Sequence, residues 1–228
     1  MIDQGGDLNS QRMILVIGAS HTDNWVNVFK KFGEIHHYKV LSIIKTSCYF
    51  SEKDDTFKAC KDWNKKVLSF LSQINNPQDC YIATTLTRIA TMKDHESFES
   101  YPEFKSKLMN KLIQRGFNIV GIRDVPRFSS FFNPVECSIV SPDRCAVNKP
   151  EICNDVSYKQ IVASNKEINF IDLNFPFCNE NQCKTIIKDP TSSSLSTLVF
   201  ADPHGHLRQP VIMKFYDKYD ALLSGIIR

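Results

Sequence analysis

Met13-Ile14-Leu15-Val16-Ile17-Gly18, followed at once by Ala19-Ser20-His21, is the stretch from which the fold can be read. Five consecutive apolar residues ending on glycine show no alternation, the pattern of a strand covered on both faces in a parallel sheet. Just downstream, Trp25, Val28, Phe29 and Phe32 recur at helical spacing, with Thr22 or Asp23 as the capping residue. The same strand-then-helix unit recurs outward along the chain. Val40–Ile44 precedes a helix over Asp62–Ile74, and Cys80–Thr85 precedes a helix over Phe98–Gln114 that Gly116 closes. Asn118–Arg123 is the fourth strand, and a short helix near Val156–Asn165 leads into the fifth, Ile168–Leu173. After a short run at Leu198–Phe200, Pro210–Ile226 reads as the closing helix. Five strands joined by four crossovers predict a doubly wound, flavodoxin-like five-stranded parallel sheet in three α/β/α layers. Residues 13–228 are expected to form that single domain, with 1–12 disordered or left over from cloning.

Composition excludes several classes. A chain of 228 residues with 42% hydrophobic and 23% charged side chains can bury a full globular core. A net charge of +3 without a Lys/Arg cluster gives no footprint for nucleic acid. No run approaches the roughly 20 apolar residues of a membrane span, and Met1–Met13 has no apolar signal core. Neither G-x-G-x-x-G nor the P-loop pattern is present, and no His/Asp/Glu set has ligand spacing. No cofactor and no metal are therefore expected. The eight cysteines contain no C-x-x-C. Cys178 and Cys183 flank one polar loop and Cys137 and Cys145 another, which suggests short disulfides in an oxidising compartment. Cys80 reads as a reduced core residue, and Cys153 has no assigned partner. An exported chain without a leader is expected to be a segment of something larger. The irregular stretch Asp124–Asn154, with four prolines and three cysteines, reads as a stapled loop, and Thr191–Thr197 as a Ser/Thr-rich linker.

In an open parallel sheet, ligands bind beyond the carboxyl ends of the strands. Ala19-Ser20-His21, Lys45-Thr46-Ser47, Thr85-Leu86-Thr87-Arg88 and Asp124-Val125-Pro126-Arg127 follow the first four strands, so polar side chains converge from four turns. A serine after Gly-x at the start of a helix is either a cap or a nucleophile. As a nucleophile it needs a base and a carboxylate to orient that base. Asp202 with His206 or His204 could supply both from one loop. Arg88 and Arg127 either hold a substrate carboxylate or acyl carbonyl, or pair with Asp124. His21, His36, His37 and His95 read as surface or packing residues.

The ordered set Gly18-Ala-Ser-His21, Lys45-Thr-Ser-Cys-Tyr-Phe50, Cys60-Lys-Asp-Trp-Asn64, Gly121-Ile-Arg-Asp-Val-Pro-Arg-Phe128, Ile171-Asp-Leu-Asn-Phe-Pro-Phe-Cys178 with Cys183, and Val199-Phe-Ala-Asp-Pro-His-Gly-His-Leu207 resembles the SGNH domain attached to acyltransferase-3 membrane proteins. The resemblance runs from about Met13 to Leu223. It implies an SGNH hydrolase fold in an extracytoplasmic, C-terminal domain fused to a bundle of transmembrane helices. The whole protein would transfer acyl groups, commonly acetyl, to cell-envelope glycans on the periplasmic or outer face of the bacterial inner membrane. Residue by residue, Ser20 matches the nucleophile, His206 with Leu207 the C-terminal His-Leu, and Asp202 the preceding acid. Ser47 matches the oxyanion-hole residue of the second conserved block. Thr85, Thr87 and Arg88 sit where the third block lies, without its Gly-x-Asn-Asp. Cys48 with Cys60, Cys137 with Cys145 and Cys178 with Cys183 match the family's paired positions.

Two departures stand out. Ala19 replaces the family's Asp, and the acid–histidine spacing from Asp202 to His206 is one residue longer than Asp-x-x-His. The leading expectation is acyl transfer through acyl-Ser20, with His206 as acid/base, Asp202 orienting it and His204 as the alternative base. The acyl donor would come from the membrane acyltransferase-3 domain of the same protein and the acceptor would be a glycan. A monomer is expected. Two alternatives remain open: an esterase with water as acceptor, and a catalytically silent glycan-binding domain.

Overall fold

The computed structural model describes residues 2–52, 57–91, 97–128, 132–189 and 192–228. In chain order, β1 (Asp3–Gly6) and β2 (Met13–Gly18) are followed by α1 (Ser20–Asp23), α2 (Val26–His36) and β3 (Lys39–Ile44). Then come α3 (Lys58–Ser72), β4 (Cys80–Thr85), the pair β5 (Arg88–Thr91) and β6 (Ser97–Ser100), α4 (Glu103–Gln114) and β7 (Asn118–Ile122). The second half contributes α5 (Pro134–Val140), α6 (Asp155–Ser164), β8 (Asn169–Ile171), β9 (Ile186–Asp189), β10 (Ser192–Leu198), α7 (Gln209–Lys214) and α8 (Tyr216–Ser224).

The central sheet runs β1-β3-β2-β4-β7-β8. Its five expected strands are all parallel, with β2 at the point where strand order reverses. Period-two geometry splits β2 between two cores. Ile14 and Val16 face α2 and α8 beside Phe29, Phe32, Tyr219 and Leu223. Leu15 and Ile17 face α3 and α4 beside Val67, Leu71, Leu108 and Leu112. All four β2 side chains are fully buried, worth about 1.5–3 kcal/mol each. That double burial produces the unbroken apolar run and the three layers.

Four expectations are corrected. Asp3–Gly6, within the segment read as disordered, is an antiparallel edge strand on β3. Its sequence, DQGG, offers no strand former. Pairing succeeds because Gly6 lies against Gly33 of α2, where a Cβ would meet Tyr38 O at 2.3 Å. Second, Phe98–Gln114 is not one helix. Ser97–Ser100 pairs with Arg88–Thr91, and α4 begins only after Pro102, whose ring disfavours helical geometry at Tyr101. Third, the stretch read as a Ser/Thr linker forms, from Ser192 on, the strand β10 against β9. Fourth, the closing helix breaks at Phe215 into α7 and α8. His95 lies outside the described residues.

Three disulfides join Cys48 to Cys60, Cys137 to Cys145 and Cys178 to Cys183, while Cys80 and Cys153 are buried thiols. Closing such short loops is worth about 2–3 kcal/mol apiece. Among the described residues no helix is long and apolar enough to cross a membrane.

Candidate active site

Gly18 ends β2 because nothing larger fits: a Cβ there would lie 2.2 Å from Thr22 Oγ1. The chain turns at Ala19, whose carbonyl accepts from Thr22 N and Asp23 N, and Ser20 opens α1. Thr22 supplies a brace of its own. Its hydroxyl donates to Thr85 Oγ1 at 3.1 Å and accepts from Thr85 N at 3.2 Å, tying the turn to the end of β4. Loss of the family's Asp at Ala19 therefore leaves the turn held.

Ser20 Oγ lies 2.9 Å from His206 Nε2, and His206 Nδ1 lies 2.5 Å from Asp202 Oδ2. With a carboxylate on Nδ1, the ring proton belongs there and the Nε2 lone pair faces the serine hydroxyl. Asp202 works with both oxygens. Oδ2 orients the ring, while Oδ1 accepts the backbone N–H of His204 at 2.8 Å and of His206 at 3.3 Å. Burial opposes the charge on Asp202, but the His206 ring and these two amides hold its carboxyl below the ordinary range.

The longer Asp202–His206 spacing has a structural solution. Gly205 takes φ +89°, a left-handed conformation that glycine adopts without strain, and a Cβ there would meet Pro126 O at 2.6 Å. The extra residue bulges onto the turn after β7 and brings His206 back over Ser20. Below it the loop is pinned by Ala201 N to His206 O at 2.7 Å and by Leu207 N to Asn24 Oδ1 at 3.1 Å. His204, by contrast, is exposed at the rim of the cavity.

Ser20, Ser47, Thr85, Thr87, Arg88 and His206 all line one cavity of about 390 Å³. Ser47 has φ +62°, an uncommon conformation for a non-glycine residue, and its backbone N–H has no hydrogen-bond partner among the described residues. Thr85 and Thr87, read as third-block positions for the oxyanion or the substrate, both line this cavity. Thr85 Oγ1 is taken by Thr22, and Thr87 Oγ1 accepts from Asp124 N at 2.8 Å while the same hydroxyl bonds buried Glu99. Both serve the scaffold, because these positions carry hydroxyls already committed to neighbouring elements.

Two residues escaped the sequence reading. His21, read as surface or packing, is buried with its Nδ1 2.6 Å from Asp124 Oδ1, and its ring meets that of His206 edge-on at 5.3 Å. A second Asp–His pair thus borders the cavity. Its only signal was that both residues stand among the first polar positions beyond parallel strands. Burial opposes the charge of Asp124 too, yet the His21 hydrogen bond and the positive charges of His21, Arg127 and Lys105 keep the carboxyl low. Lys105 of α4 is also buried and donates to Thr85 O at 2.8 Å and Leu86 O at 3.3 Å. It was hidden inside an apolar helical face. His36 pairs with Asp220, and His37 with Asp7 on the surface.

The model of the family described as the SGNH domain fused to AT3 domains matches residues 2–210. Among solved structures, the periplasmic domain of a lipopolysaccharide acetyltransferase from Salmonella ser. Paratyphi A is similar at TM-score 0.63 and 14% identity, over 94% of this chain and 84% of that one. A Bacteroides fragilis protein described as an acylhydrolase covers 98% of this chain and 91% of its own at 14% identity, with a TM-score of 0.45. No curated protein sequence matches the chain.

Proposed function

The chain belongs to the family of SGNH domains fused to AT3 domains, and from that premise we propose that it transfers an acyl group through Ser20. The observation that carries the proposal is the unbroken relay from Ser20 Oγ to His206 Nε2 and from His206 Nδ1 to Asp202. A nucleophile, a base and an orienting carboxylate stand in hydrogen-bond order, as acyl transfer requires.

The chemistry runs in two halves. His206 Nε2 takes the Ser20 proton as Oγ attacks the acyl carbonyl of the donor ester. The tetrahedral oxyanion is received by the backbone N–H groups of Ser20 and Ser47, donors aimed at charge that exists only in the transition state. As the intermediate collapses, the donor's leaving oxygen departs with the proton from His206, and acyl-Ser20 remains. A glycan hydroxyl then gives its proton to His206, attacks the acyl carbon, and releases Ser20, whose Oγ recovers that proton. The acyl group, commonly acetyl, would be delivered by the membrane AT3 domain of the same protein. The three disulfides support an extracytoplasmic location, where such bonds form and persist.

The test is direct. A fluorophosphonate should label Ser20 of the wild-type chain, and neither Ser20→Ala nor His206→Ala should react. Full ester turnover by Ser20→Ala would end the proposal. Product analysis with an added glycan acceptor separates transfer from hydrolysis: an esterase would release free acid regardless of acceptor.

A further inference from the structure

The cavity in front of Ser20 carries positive charge that acyl transfer itself does not need. Arg88 at the start of β5, Lys105 of α4 and Arg127 beyond β7 all line it, and Asp124 is the acidic residue among its lining side chains. That single carboxylate is already engaged. Its Oδ1 accepts from His21 Nδ1 and from Val125 N at 3.0 Å, and its Oδ2 from Ile89 N at 3.4 Å. Arg127 Nε comes no closer than 3.6 Å to it and has no hydrogen-bond partner among the described residues. Arg88 is exposed and makes no ion pair among the described residues.

Arg123 shows what a structural arginine looks like in the same chain. It is buried, with Glu99, Asp155 and Asp172 all within 2.8 Å of its guanidinium. Three carboxylates surround that arginine, while of the two at the cavity only Arg127 has a carboxylate in reach among the described residues, Asp124 at 3.6 Å. The effect is felt by Lys105, whose ammonium is pushed down to about 8 by burial, with Arg88 and Arg127 adding to the shift and Asp124 opposing it. Guanidinium forks that no carboxylate holds by a close hydrogen bond among the described residues, set in a concave site, are suited to a planar carboxylate.

We propose that this cavity binds an acidic saccharide, with Arg88 and Arg127 holding a carboxylate of the acceptor sugar while one of its hydroxyls lies beside Ser20. The fate of that hydroxyl rests on the acyl-transfer reading; the recognition of the carboxylate does not. A cavity of about 390 Å³ is of the size that holds a small ligand or one unit of a chain.

Binding, measured apart from turnover, keeps the two readings distinguishable. The chain is titrated calorimetrically with trigalacturonate and with the same oligomer reduced at its carboxyl groups, in wild type and in Ser20→Ala. The acidic oligomer should bind at least about tenfold more tightly in both proteins, with the preference shrinking as salt rises. Arg88→Gln and Arg127→Gln should each weaken trigalacturonate by about tenfold, and the double variant should lose the preference. Lys166→Gln, exposed and outside the cavity, should retain it and so excludes general surface attraction. Equal affinity for the two oligomers, or a preference that survives in the double arginine variant, would overturn the inference. So would tighter binding of glucose 1-phosphate than of galacturonate, since the anion would then be a phosphate. Failure of Ser20 to react, with the acidic preference intact, would strike the acyl-transfer reading alone.

Discussion

Two Asp–His pairs flank Ser20, alike in chemistry and opposite in setting. In Asp202–His206 the partners stand four residues apart in one loop, with about a third of each side chain exposed. In Asp124–His21 they come from the ends of different strands, 103 residues apart, and both are nearly buried. Each presents Nδ1 to a carboxylate. Only the loop pair has its other ring nitrogen on the serine hydroxyl. A carboxylate–imidazole pair therefore does not define a role by itself. The half-exposed pair costs the fold little and can cycle a proton, whereas the buried pair is fixed in the scaffold by Val125, Ile89 and the Thr87 hydroxyl that holds the Asp124 backbone.

The largest expected effect separates the two at once. His206→Ala should lower ester turnover by at least about a thousandfold, the scale of losing a triad base, while moving the thermal midpoint by no more than a few degrees. Asp124→Ala should do the reverse in kind. Stripping a buried imidazole of its partner costs about 3–5 kcal/mol, enough to lower the midpoint by roughly 10 °C in a chain of this size. Calorimetry and steady-state kinetics on both variants check this. If Asp124→Ala melted like wild type and only turnover fell, the buried pair would belong to the chemistry and not to the scaffold.

The same contrast explains what could be read from the chain. Ser20, Asp202 and His206 were legible because each sits in a local pattern, Gly-x-Ser after an apolar strand and Asp-x-x-x-His before the closing helices. The five parallel strands were legible because burial on both faces writes itself as an uninterrupted apolar run. Asp124–His21 was not, since nothing local distinguishes a histidine that caps a turn from one that reaches a strand end 103 residues away. Lys105 was missed for a related reason: its neighbours Phe104 and Leu108 look like an ordinary helical face, and its burial depends on two carbonyls from the turn after β4. Asp3–Gly6 was illegible because two of its four residues are glycines chosen for close approach to α2, not for strand propensity.

A middle-sized effect probes how the loop pair reaches Ser20. Gly205→Ala places a methyl in a left-handed backbone and against Pro126 O. The substitution should cost about 1–3 kcal/mol of stability, the order of a strained backbone position, and lower turnover further by moving His206 off the serine. A Gly205→Ala protein with unchanged kinetics would mean that the bulge is incidental to the relay.

The smallest effect lies in the acid limb of the stability curve. Both carboxyls are held below the ordinary range, so each adds stability that is present above the unfolded-state value near 3.8 and lost as pH falls through the lower folded value. The shares should differ, because Asp202 is partly solvated and its contribution is screened to about half a kcal/mol or less. Denaturation of Asp202→Asn should therefore track wild type from pH 7 down through the acid limb below 3.8, even though the loss of a correctly oriented His206 costs it activity. Asp124→Asn should begin less stable at pH 7 and lose less on acidification, since the proton it would have resisted no longer has a site. An acid limb flattened as much by Asp202→Asn as by Asp124→Asn would erase the difference between the exposed pair and the buried one.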